Sequence, residues 1–463
     1  MIQGPDKVMK KNLQKLFWTW DHSTNWRVNV PGNQTCGAGN AYTKSPEAFL
    51  TDYRRSIDFC KEHGIDAIGI AGLLRDRHGG VDYARRVCGY ARENGIRIYL
   101  IAGLYAYGGI YHEGDHEFAL DNFLENNPDC MGKNLDGSDL FFSFPAHCGH
   151  KVVRQGCPSN AKLHDYILRS IEWLFREIPE LGGLQMETGD TGICMCEKCI
   201  KRRGGEVNNE TSYLMSYEDM AQIYPDAVRV MKNTAKDAWA ICETYHHFLP
   251  GDPATLYKFN GATPADKAAL LQNIPEDSFI QWVCDFQIAD GSWADQGCIP
   301  AGLQKYHHII RAHHSTYWRG GRHALTIEAI RRHCYHTAAA GAQAVSMFGE
   351  GSPFHTNAEF NYLALQYFAN DPDATVEQFA DEVMAPRLGG KTLAEAYLKI
   401  AVEGKSEPEK VPVFSKEIAK FLAGLQEQEA IRRWFWLASY LNSVHWESTQ
   451  KGYVKRDDKL VVL

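Results

Sequence analysis

The chain reads as a (β/α)8 barrel with an enlarged loop after its third strand and a helical C-terminal region. Three observations predict this. Apolar runs of strand length alternate with helix-length amphipathic segments from Leu16 to about Phe368. Several of those helical segments end in a glycine just past the last periodic residue (Gly64, Gly95, Gly341), where a left-handed backbone closes a helix. Eight such units over roughly 350 residues suit a closed parallel barrel with long loops. A doubly wound open sheet is the structural alternative.

The predicted strands are Leu16–Asp21, Ala67–Gly72, Ile96–Leu104 and Gly183–Glu187, then Ala238–Glu243, Phe279–Asp285, Ser315–Trp318 and Ala344–Gly349. Helical patterns lie between them at Pro46–His63, Val81–Asn94, His164–Phe175, Tyr217–Asn233 and Leu325–Ala340. The longest insertion, Tyr105 to Asn160, separates the third and fourth strands, and a loop of that length in a compact domain is usually functional. After Asp371 the pattern turns helical over Val376–Met384, Leu393–Val402 and Ser415–Leu441, with a polar break at Lys405–Lys410. The chain is therefore divided into a barrel over residues 1–370 and a C-terminal helical domain over 371–463. Trp434, Phe435 and Trp436 in its last helix suit packing against the barrel or a homodimer interface.

Composition narrows the function classes. Hydrophobic residues make up 44% of the chain, enough for a large core. Net charge is −8, and the densest basic cluster, Lys201-Arg202-Arg203, is too short to predict nucleic-acid binding. No apolar run is long enough to predict a membrane span. The first residues lack an apolar signal core, and the 13 cysteines are odd in number and scattered, which favours a reducing compartment over a disulfide framework. A cytoplasmic protein is expected.

The most informative stretch is Leu184-Gln185-Met186-Glu187-Thr188-Gly189-Asp190. An apolar strand has no structural need for two carboxylates at its tip, because buried charge is costly unless paired or used. Parallel barrels keep their chemistry at the C-terminal ends of their strands. The other predicted strand ends add to the same rim: Asp21, His22 and Trp26, then Arg75 and Arg77, His112, Glu243, Trp282, Trp318 with Arg319, and Glu350, with Asn357 just beyond. Carboxylates, imidazoles, guanidinium groups and indoles in one place can stack a sugar ring, bind its hydroxyls and move a proton. Glu187, Asp21, Asp190, Glu350 and His112 are the candidate catalytic residues. His22, Trp26, Arg75, Trp282, Trp318, Arg319 and Asn357 are the candidate substrate-binding residues. His246-His247 and His307-His308 read as loop or helix-face histidines rather than metal ligands.

Cys194-x-Cys196-x-x-Cys199 follows the fourth strand directly. Three thiols at this spacing fit a structural zinc that needs a fourth ligand, for which Cys157, Cys148 and His147 are candidates; free buried thiols are the other reading. Three thiolates leave little Lewis acidity, so a catalytic zinc is not expected, and no other cofactor is.

The first-strand Trp-Asp-His, the Glu-x-Gly-Asp motif with its Cys-x-Cys-x-x-Cys, the stretch Phe360 to Phe368 and the later Pro386-Arg387-Leu388-Gly389-Gly390 resemble carbohydrate-active (β/α)8 proteins related to hexosaminidases and α-glucuronidases. The adjacent Asp-Glu pair of hexosaminidases is absent, since Thr188 and Gly189 separate Glu187 from Asp190. The chain is also similar to an inverting sialidase group that uses an Asp and a His, which implies Asp21 with His112 or His147. The resemblance implies a glycoside hydrolase. The expectation is exo-action on a glycan, with Glu187 as general acid, its pKa raised by the apolar strand end, and Asp21 or Glu350 as base or nucleophile. A lyase or isomerase of an acidic sugar and a non-catalytic carbohydrate-binding protein are the alternatives.

Overall fold

The structure is a computed structural model that describes residues 12–20, 45–143, 152–187, 193–205, 215–247, 268–283, 299, 302–315, 323–348, 353–354, 356–449, 453–456 and 459–462. In chain order its strands are β1 (Gln14–Trp20), β2 (Ala67–Ala71), β3 (Arg97–Gly103), β4 (Phe141–Ser143), β5 (Val152–Arg154), β6 (Gly183–Glu187), β7 (Trp239–His247), β8 (Phe279–Val283), β9 (His307–His313) and β10 (Ala344–Phe348). Two short ones follow, β11 (Tyr453–Arg456) and β12 (Lys459–Val462). All but β4, β5, β11 and β12 join one closed ring in the order β1-β2-β3-β6-β7-β8-β9-β10, every neighbouring pair parallel. Closure removes the exposed edges an open sheet would leave, and it decides for the barrel against the doubly wound sheet.

Helix ends form where their local chemistry requires. Ser45 and Asn160 accept backbone N–H bonds from Ala48 and Leu163 and so cap the helices Pro46–His63 and Ala161–Glu177. Gly64, Gly95 and Gly341 all take the left-handed backbone expected of them, with φ of 64°, 74° and 76°.

The two-residue period of the strands separates two cores. Outward-facing Ile68, Ile98, Leu184, Ala240, Ile280, Ile310 and Val345 pack under the helices. Inward-facing Leu16, Trp18, Tyr99, Ile101, Ile241, Phe279, Ile309 and Phe348 fill the barrel. Gly69 makes room inside it, because a Cβ there would lie 2.3 Å from the Tyr99 ring.

The seventh barrel strand is His307–His313, earlier in the chain than the predicted Ser315–Trp318. His307, His308, Arg311 and His313 make it look polar, yet from His308 onward the strand is buried. His308 is thus an outward strand residue rather than a loop or helix-face one. The insertion after β3 carries the antiparallel pair β4/β5.

The C-terminal helices pack on the barrel. In the helix Thr356–Asn370, Ala369 accepts a backbone bond from Leu13 just before β1 (2.9 Å). Arg433 of the last helix, Gln428–Thr449, forks onto the buried Glu359 at 3.0 and 2.6 Å. Beside it Trp434 is fully buried against Tyr397 and Phe421, while Phe435 is 68% exposed. The chain then ends in the hairpin β11/β12, where the sequence suggested only helix. Among the described residues no helix is long and apolar enough to cross a membrane.

The Gly69–Tyr99 contact carries a prediction. Gly69→Ala will lower stability by about 1–3 kcal/mol through overpacking, read by thermal or urea unfolding. The penalty will shrink in a Tyr99→Ala background, and an equal penalty in both backgrounds would contradict the contact.

Candidate active site

At the C-terminal end of the barrel, inward positions of four consecutive strands build a polar column. Gln185 and Glu187 lie two residues apart on β6, Glu243 on β7, Gln281 on β8, and Arg311 and His313 two apart on β9. All are buried, Glu187 being 8% exposed and Glu243 0%. Arg311 pairs with the Glu243 carboxylate through Oε1. The same oxygen accepts from Gln281 Nε2 at 2.9 Å and from Gln185 Nε2 at 3.2 Å. Gln185 Nε2 also reaches Glu187 Oε2, a weak 3.4 Å contact one step higher. Arg311 Nη2 lies 3.1 Å from His313 Nε2, and its guanidinium carbon sits 4.5 Å over the Trp18 ring. Trp18 meets Phe348 at 4.1 Å and His313 edge-on at 5.9 Å, which lines the opposite wall with aromatic rings.

The strand tips are held from outside. Tyr224, on the helix Tyr217–Thr234, donates to the backbone carbonyl of Glu243 (2.5 Å) and lies 3.2 Å from that of Met186. One hydroxyl thereby ties β7 to β6 beside both carboxylates. Burial pushes the Tyr224 phenol well above its ordinary range, so it remains a donor.

The structure places the sequence-derived candidates unevenly. Glu187 stands at the tip of β6, inside the barrel. His112 is half-buried after β3, its backbone N–H bonded to the Leu74 carbonyl at 3.0 Å. Its neighbour Glu113 clasps the buried Arg75 at 2.6 Å and pairs with Arg77, so Arg75 anchors this rim segment rather than standing open to a substrate carboxylate. Trp282 is not a stacking platform. It faces outward, fully buried, and its Nε1 donates to His308 Nδ1 at 3.0 Å while His308 Nε2 contacts the Leu303 carbonyl at 2.9 Å. Asn357 is also turned to structure, accepting from Tyr397 OH (2.6 Å) and donating to the His323 carbonyl (2.8 Å). Asp21, His22, Trp26, His147, Cys148, Asp190, Trp318, Arg319 and Glu350 lie outside the described residues.

Sequence reasoning missed Arg311, His313, Gln185 and Gln281. A signal was present: polar residues spaced by two inside strand-length runs share a face, and here that face is the barrel interior.

The cysteines after β6 converge. Cys157, Cys194, Cys196 and Cys199 bring their Sγ atoms within 4.8 Å of one another, so of the three candidate fourth partners Cys157 joins the set. Hydrogen bonds from Cys157 and Cys194 hold the Cys199 thiol well below the ordinary thiol range. Four such sulfurs can hold one metal ion.

No family model and no curated protein matches the sequence. Similar solved structures include a β-N-acetylhexosaminidase from Bacteroides fragilis, at 11% identity and TM-score 0.46, covering 81% of this chain and 70% of that one. The cyclic α-maltosyl-(1→6)-maltose hydrolase from Arthrobacter globiformis shares 11% identity at TM-score 0.43, with 77% and 82% coverage. An α-amylase from Geobacillus thermoleovorans shares 10% at TM-score 0.42, with 77% and 78% coverage.

Two predictions test the column and its outer support. Arg311→Met leaves the Glu243 charge buried without its cation and will cost about 3–5 kcal/mol, measured by chemical unfolding, with much of the loss recovered in the double variant Arg311→Met/Glu243→Gln. Burial pushes the His308 imidazole down from 6.5 to about 4, so the unfolded chain takes up a proton there before the folded one does. That stability is complete above pH 6.5 and is lost as pH falls toward 4. A His308→Gln variant will show a flatter fall in melting temperature across this window, and an unchanged slope would remove His308 as its source.

Proposed function

We propose that the protein is a glycoside hydrolase acting at the C-terminal mouth of the barrel, with Glu187 as its general acid. The observation that carries this reading is the placement of Glu187. It is an inward carboxyl at the tip of β6, directly above a charge-neutralised polar column and facing an aromatic wall headed by Trp18. Hydrolysis of a glycosidic bond needs a proton delivered to the leaving oxygen and a second carboxylate across the sugar. Asp21, which directly follows β1 in sequence, or Glu350, two residues past the end of β10, is assigned to that second role. A carboxyl separation near 5 Å goes with retention through a covalent intermediate, and about 6.5–9.5 Å with inversion through a water.

Trp18 and Phe348, both buried, make the β1 and β10 side of the barrel interior apolar, and His313 and Arg311 set polar groups against it. That mix supports a carbohydrate substrate, and exo-action is the finer reading that the sequence suggests.

The test is a panel of chromogenic glycosides, including a sialoside and a glucuronide, followed by kinetics on whichever is cleaved. Glu187→Gln will lower kcat by about 10²–10⁴-fold, with circular dichroism and melting temperature unchanged. Activated substrates with good leaving groups will be affected least. Retained activity in Glu187→Gln, or cleavage without incorporation of solvent oxygen, would overturn the assignment.

A further inference from the structure

Apart from the polar column, four thiols gather from two segments far apart in sequence. Cys157 closes the insertion that follows β3, and Cys194, Cys196 and Cys199 follow β6. The contacts are tight: Cys157 Sγ lies 3.7 Å from both Cys196 Sγ and Cys199 Sγ. A tetrahedral ion with bonds of about 2.3 Å to sulfur sets its ligands roughly 3.8 Å apart. Disulfide sulfurs stand about 2 Å apart, so the four are arranged around a common centre rather than bonded in pairs. A spread of no more than 4.8 Å also fits a single ion better than a multi-iron cluster.

The surroundings are those of a thiolate-bound cation. Sulfurs in such a site retain negative charge and accept hydrogen bonds from the next shell. Here the Lys133 backbone N–H donates to Cys194 Sγ at 3.3 Å, Ser159 Oγ lies 3.0 Å from Cys199 Sγ, and Arg202 Nη2 donates to Cys199 Sγ at 3.3 Å. Arg202 is itself oriented by the buried Asp219, which also pairs with Arg203 at 3.3 Å, and Arg203 donates to the Cys194 carbonyl at 2.7 Å. The basic triplet that the sequence offered no partner for thus has one role in view: two of its members brace this cluster. Cys157, Cys194 and Cys199 are buried and only Cys196 is partly exposed, a closed site with no open coordination position.

We propose that Cys157, Cys194, Cys196 and Cys199 bind one structural Zn²⁺ that fastens the insertion after β3 to the segment leaving β6. The ion completes a clamp the backbone already begins. Met195 N–H donates to the Lys133 carbonyl at 2.6 Å, Cys157 N–H to the Cys130 carbonyl at 2.9 Å, and Gly156 N–H to the Tyr105 carbonyl at 2.7 Å. Asp219 extends the clamp to the helix whose Tyr224 ties the tips of β6 and β7. Insertion, β6 exit and strand tips are thereby linked in one chain of contacts. The proposal stands independently of the hydrolase reading.

The test uses the full chain, expressed with zinc in the medium and purified under reducing conditions. Elemental analysis will find about one zinc per chain, released by a mercurial thiol reagent and read with a metallochromic dye. Cobalt substituted into the wild type will show the thiolate charge-transfer and intense d–d absorption of a tetrahedral site. Cys196→Ser, the change least disruptive to packing, will lose the metal, whereas Cys334→Ala, elsewhere in the outer core, will keep it. Limited proteolysis will cut the stretch between residues 131 and 160 faster in Cys196→Ser than in wild type. Absence of metal after reconstitution, thiols found oxidised in pairs, zinc retained in Cys196→Ser, or iron as the natural occupant would each overturn it.

Discussion

The ion pair between Glu243 and Arg311 is the constraint on which the barrel mouth depends. A carboxylate at 0% exposure has a large desolvation cost, and one cation seldom offsets it without further hydrogen bonds. The barrel provides those bonds from both neighbouring strands. Gln185 on β6 and Gln281 on β8 both donate to the oxygen that Arg311 holds. The four strands from β6 to β9 therefore meet at one oxygen, which adds to the backbone ladder in holding their relative heights. Stacking of the guanidinium on Trp18 extends the same constraint across the barrel to β1.

Around that centre the fold separates inside from outside with little ambiguity, because each strand changes chemistry with its two-residue period. On β8, Gln281 points in and Trp282 points out; on β9, Arg311 points in and His308 points out. The outward pair, Trp282 with His308, satisfies two polar groups in an otherwise apolar layer through one bond between them. The C-terminal helices follow the same rule. The buried Arg433 meets the buried Glu359 in a two-pronged pair rather than entering the apolar interface alone.

These facts explain what the sequence made legible. Apolar strands such as Ala67–Ala71 and Gly183–Glu187 stood out because their burial is continuous. Glu187 stood out because a charge at the end of such a run is anomalous, and the cysteine cluster because its spacing is local apart from Cys157. Strand β9 was hidden, since its inward positions carry charge that only a partner 68 residues away neutralises. The reading of Trp282 failed for a related reason. Which side of a strand faces the barrel is fixed by register, and register follows from pairs such as Gln281 with Glu243 that no single segment displays. Arg75 looked available for a ligand because its partner, Glu113, is 38 residues distant in a different loop.

Depth within the barrel sets the two inward carboxyls in different surroundings. Glu243 lies at the level where a guanidinium and two amides converge on one carboxylate oxygen. Glu187 is one pleat nearer the opening, and Gln185, the side chain that links the two, offers it a neutral amide at a long 3.4 Å. The column of four strands thus gathers both carboxyls along one inner face of the barrel, the lower as the tie among β6, β7, β8 and β9 and the upper at the tip of β6.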